Sequence, residues 1–147
     1  MQIQLYSYKG DSKYDIFEPF DSGIRLVTSS IYSHNELVIN GVSYSSLALD
    51  GATERIRYFD PNKWDMIEID TSKIDIQNLN KVIAESKNAP YDWLGIARFI
   101  FPSIEPSKTA YFCSERCADM LGIPFPHLYS PGQLHDYCKH NLGFNHA

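Results

Sequence analysis

The sequence predicts an α+β fold in which an antiparallel sheet packs against helices, and three observations carry that reading. Between residues 34 and 69 apolar side chains tend to recur at every second position, and the dipeptides Asn40-Gly41 and Asp50-Gly51 interrupt them where hairpins would turn. From Ile74 onward the apolar period becomes that of a helix. At 147 residues the chain fits one domain, 1–147, large enough to bury roughly two thirds of its unfolded surface without a disulfide or metal staple.

Taken in order, residues 2–8 read as a first short strand, and residues 15–30, which contain Pro19 and Gly23, give no clear assignment. Residues 34–39 form the next strand, with a β-branched end leading into Asn40-Gly41. Residues 42–49 alternate imperfectly and lead through Asp50-Gly51 to a strand over 53–59, so that three consecutive strands make a meander. Residues 64–69 alternate apolar and acidic side chains and read as a half-buried strand. Ile74, Ile76, Leu79, Val82 and Ile83 predict a helix ending near Ser86, and residues 91–101 a second one, closed by Pro102. Residues 102–108 are the clearest loop. Cys113, Cys117, Ala118 and Leu121 share a helical face, and Gly122 stops that helix. Ser130-Pro131 supplies the cap and first residue of a last helix carrying Leu134, Tyr137 and Cys138.

Two segments carry chemistry. A thiol attacks as its thiolate, so its pKa must fall from about 8.5 toward neutrality. Cys113 falls in the first turn of its helix, where unpaired N–H groups and the positive end of the helix dipole favour an anion. His34 opens the strand His34-Asn35-Glu36-Leu37-Val38-Ile39, whose alternation sets His34, Glu36 and Val38 on one side. Glu36 can hold one ring nitrogen and leave the other for the thiol proton, the orienting role of a third triad member. Ser46, Glu54 and Glu115 are rival orienters. On bare statistics Cys113 reads as a small core residue and His34 as a surface group.

The order of these pieces, His34-x-Glu36-Leu37-Val38-Ile39 with its hairpin, then Tyr91-Asp92-Trp93-Leu94-Gly95, then Tyr111-Phe112-Cys113-Ser114-Glu115, resembles the circularly permuted members of the NlpC/P60 papain-like superfamily. The histidine strand precedes the cysteine helix, as in that branch, and the likeness covers about residues 30 to 122. It implies a permuted papain-like fold and a thiol hydrolase, a cysteine peptidase or amidase, acting on a peptide or peptidoglycan-type amide. Cys113 would be the nucleophile, His34 the base and Glu36 the variable polar third member. Tyr91 would lie near the substrate, with Ser114 and Ser46 as further substrate contacts. Relatives of that branch include lipid acyltransferases using the same cysteine, so acyl transfer or thioester hydrolysis is the alternative, as is a non-catalytic descendant.

Composition narrows the partners. A net charge of −5 without a basic run gives no electrostatic footprint for nucleic acid. No apolar stretch approaches the roughly 20 residues a bilayer requires, and the first residues lack a signal-peptide pattern, so a soluble, cytoplasmic protein of phage or bacterial type is expected. Three cysteines, two of them one helical turn apart, argue for reduced thiols. Cys113-x3-Cys117 with His135-x4-His140, and Cys138 and His127 in reserve, keeps open a zinc-stabilised binding module. The preferred reading requires neither cofactor nor metal.

Overall fold

Alternation in the first half of the chain builds five strands, all paired antiparallel. The computed structural model describes residues 1–9 and 18–144. The strands β1 (Ile3–Tyr8), β2 (His34–Ile39), β3 (Val42–Leu47), β4 (Gly51–Arg55) and β5 (Trp64–Glu68) form one sheet in the order β4-β3-β2-β1-β5. The Asn40-Gly41 turn sets the β2–β3 register, pairing Ile39 with Val42 and Leu37 with Tyr44, and both turn residues have positive φ, 48° and 84°, as a two-residue hairpin requires. β2, β3 and β4 form the expected meander, while β1 lies between β2 and β5.

The helices are α1 (Glu18–Thr28), α2 (Ile76–Glu85), α3 (Trp93–Ala97), α4 (Cys113–Met120) and α5 (Pro131–Tyr137), the last continued by a wider turn over Cys138–Leu142. Ile3, Leu5, Leu37 and Ile39 on one sheet face meet Leu79, Cys117, Met120 and Leu134 from α2, α4 and α5 in the main core. Burying such side chains stabilises by about 1.5–3 kcal/mol each. The α+β class expected from the sequence is therefore the class adopted. No helix among the described residues is long and apolar enough to cross a membrane.

Three element assignments change. The unassigned segment 15–30 holds α1, with residues 15–17 outside the described part. Pro19 stands at the second position of α1, where a missing N–H costs nothing, and Gly23 costs a helix only about 1 kcal/mol, so neither breaks it. β4 runs over Gly51–Arg55 instead of 53–59. It starts at Gly51, whose φ is +70° and whose missing Cβ makes room for the Ala89 carbonyl. It stops early as Arg57 and Phe59 turn to contacts on the other sheet face. α3 is shorter than 91–101 because Tyr91 bridges Tyr111 in parallel and Asp92 caps the helix, its Oδ1 accepting the Gly95 N–H at 2.9 Å.

Candidate active site

The cysteine helix meets the histidine strand where the sheet opens. The β2–β3 ladder ends at Leu37 and Tyr44. Beyond it Ser45 Oγ donates to the Asn35 carbonyl at 2.7 Å and Ser46 Oγ to the Tyr111 carbonyl at 2.7 Å, tying β3 to the segment that enters α4. Phe112, fully buried with its ring edge-on to Phe99 at 5.6 Å, anchors that entry. Cys113 is the first residue of α4 and lies close enough to His34 to act on the charge of its imidazole.

His34 Nε2 lies 3.3 Å from Glu36 Oε1 and 3.2 Å from Ser45 Oγ. The Ser45 hydroxyl proton is directed to Asn35, so toward the ring Ser45 offers a lone pair, and Glu36 offers a carboxylate. Both partners require Nε2 to be the donor. That leaves Nδ1 as the ring nitrogen not engaged by Glu36 or Ser45.

The electrostatics follow from this packing. Burial works against the imidazolium, but the charge and hydrogen bond of Cys113, followed by those of Glu36, outweigh it and raise the His34 pKa to about 10. Burial likewise pushes the Glu36 carboxyl up, yet His34, the Ser43 hydroxyl and Arg57 hold it down at about 2. Glu36 is fully buried and also accepts from Arg55 Nη2 and Arg57 Nη1, each at 2.8 Å. The other two thiols differ: burial raises Cys117 far above an ordinary thiol and Cys138 to about 12.

An open cavity of about 590 Å³ lies against His34 and Glu36, walled in part by Ser46, Leu47, Trp64 and Tyr91. Cys113 itself is 1 % exposed and is not part of that wall. Tyr91 thus lies on the cavity side, edge-on to Trp93 at 5.0 Å. Ser114 is buried and donates to the Tyr129 carbonyl at 2.8 Å, fastening α4 to the following turn. Among the rival orienters, Ser46 holds Tyr111, Glu54 pairs across the sheet with Tyr44, and Glu115 accepts the Phe112 N–H at 3.4 Å. Burial raises Glu115 to about 7 despite Arg98 nearby. The loop 102–108 contributes nothing to the cavity wall among the described residues.

His135 of the zinc alternative has other engagements. His135 Nδ1 meets Ser7 Oγ at 2.9 Å, and its Nε2 meets the Tyr32 hydroxyl at 3.2 Å. Among the described residues no group of three or more metal-ligating side chains converges.

Ser45, Arg55, Arg57 and Arg116 escaped the sequence reading. Ser45 was within reach of it, because a two-residue turn at Asn40-Gly41 puts Ser43 and Ser45 on the face of His34 and Glu36. Arg116 carried no signal, since a charged helical residue reads as solvated. It is fully buried, with Nε on Ser86 Oγ at 2.9 Å and Nη1 on the carbonyls of Ser45 and Thr53. Arg116→Met is expected to leave those acceptors unpaired and to cost about 3 kcal/mol, read by urea denaturation. An unchanged urea midpoint would mean that the arginine does not hold α4 to β3 and β4.

Comparison with known proteins adds no family to this geometry. No protein-family model matches the chain, and no curated protein matches it significantly.

Proposed function

We propose that the protein is a thiol hydrolase of permuted papain-like, NlpC/P60-type architecture, acting on an acyl carbonyl through Cys113, His34 and Glu36. The observation that carries the reading is His34, held through Nε2 by Glu36 and Ser45 with Cys113 close enough to act on the charge of its ring. A helix N-terminus and an adjacent imidazolium both favour a thiolate. His34, with its pKa raised to about 10, would carry the proton that the reaction later delivers to the leaving group.

The sulfur would add to the carbonyl carbon, and the N–H groups of the first turn of α4 would meet the oxyanion. His34 would pass its Nδ1 proton to the leaving amine or alcohol as the carbonyl re-forms, giving an acyl-cysteine. The bare nitrogen would then take a proton from water, whose oxygen attacks the thioester. Thiolate departs, acid is released, and the imidazolium is restored. Substrate would approach through the cavity wall at Ser46 and Tyr91, next to the segment Ser46 fastens. A peptide or peptidoglycan-type amide is the proposed substrate.

The test is the order of alkylation. At pH 6, iodoacetamide should modify Cys113 well before Cys117 and Cys138, whose burial keeps them protonated. Equal, slow modification of all three would remove the basis for the proposal.

A further inference from the structure

Three cations converge on one carboxylate: His34, Arg55 and Arg57 all lie within 3.3 Å of Glu36 Oε1. The single charge of Glu36 does not balance these three, and positive charge is left at that end of the cavity. Arg57 is fixed there, its guanidinium carbon 5.0 Å from the ring centres of both Phe59 and Trp64. Phe59 is itself stacked on Tyr6 at 4.0 Å. Each arginine carries five N–H donors, and their bonds to Glu36 use Nη2 of Arg55 and Nη1 of Arg57. The Nε of Arg55 is buried with no hydrogen-bond partner. A buried donor without an acceptor is costly, and turning the guanidinium toward a bound oxyanion would satisfy it.

We infer that Arg55 and Arg57 form an anion subsite that binds a carboxylate on the substrate beside the bond Cys113 attacks. The inference rests on the thiol-hydrolase reading and narrows its substrate to a carboxylate-bearing acyl compound. Both arginines line the cavity, and their side chains are 38 % and 32 % exposed, so they are reachable while held in place. A planar guanidinium fork matches a carboxylate in shape as well as charge. Leu47, Tyr58 and Trp64 supply apolar wall for the carbon skeleton. Of the acids in the same cavity, Asp60 is turned toward its own loop, accepting from the backbone and side chain of Asn62 at 3.0 Å, and Lys63 lies in the same wall as Asp50.

Iodoacetate and iodoacetamide provide the test, because they differ by a carboxylate one carbon from the reacting atom. In both, the Cys113 thiolate forms the S–C bond as iodide leaves. Their rate ratio at Cys113, read by peptide mass, cancels changes in thiolate fraction. Iodoacetate should be the faster reagent on the native chain, and the ratio should fall about tenfold in Arg57→Gln and in Arg55→Gln. Arg57→Lys should restore part of it. A ratio unchanged in both glutamine variants, with Cys113 still the preferred and His34-dependent thiol, would remove the subsite and leave the hydrolase standing. Loss of the Cys113 preference itself would remove both. Should the variants fail to fold, the native protein decides: succinate should slow iodoacetamide at Cys113 where succinamide does not, and equal behaviour of the two would overturn the inference.

Discussion

His34→Ala is expected to slow alkylation of Cys113 at pH 6 by roughly two orders of magnitude. The size follows from the ionisation of a thiol with no help: at a pKa of about 8.5 only about 0.3 % is thiolate at pH 6. With His34 in place, an imidazolium whose pKa is raised to about 10 persists near Cys113 across the neutral range. Cys113→Ser should then leave almost no labelling at that pH, since Cys117 and Cys138 remain thiols. A His34→Ala protein that labels at the native rate would show the helix terminus alone to be sufficient.

Glu36→Ala should carry the largest cost in stability, about 3 kcal/mol or a fall in melting temperature of roughly 10 °C. The carboxylate is fully buried and is the shared counter-charge of His34, Arg55 and Arg57. Removing it leaves three cations facing one another, whereas Glu54→Gln on the exposed side of β4 should change stability by about 0.5 kcal/mol or less. The same network gives a pH signature. His34 is raised from 6.5 to about 10, so its contribution is complete below 6.5 and is lost as pH climbs to about 10. Glu36 is lowered from 4.5 to about 2, so its contribution is complete above 4.5 and is lost as pH falls to about 2. Relative to the native chain, His34→Ala should therefore lose the alkaline limb and Glu36→Gln the acid limb in pH-dependent melting curves.

How much of this was legible depends on how far apart in the chain the partners lie. The strand pattern around His34, the Asn40-Gly41 turn and the small residues of α4 are local signals, and they located the sheet, the helix and the residues that meet. Glu36 was legible as a neighbour on the face of His34, but its burial was not, because that is set by Arg55 and Arg57 arriving from β4 and the segment after it. Ser45 needed only the hairpin register. Arg116 needed the fold itself, since its acceptors Ser45, Thr53 and Ser86 lie in three other segments. α1 was obscured by Pro19 and Gly23, which break helices in general but are tolerated at a first turn and on an open face. The bond attacked is not a local signal at all. It is a property of the cavity, and the papain-like reading of its chemistry rests on the order of the His34, Tyr91 and Cys113 motifs together with the geometry around His34.

The protonation state of His34 tests the central claim most directly, and ring nitrogen chemical shifts followed by NMR across the pH range report it. The account predicts an imidazolium that persists until about pH 10 in the intact protein and titrates at lower pH once Cys113 is replaced by alanine. A ring that loses its proton near pH 6.5, with the same midpoint in the Cys113→Ala protein, would contradict it.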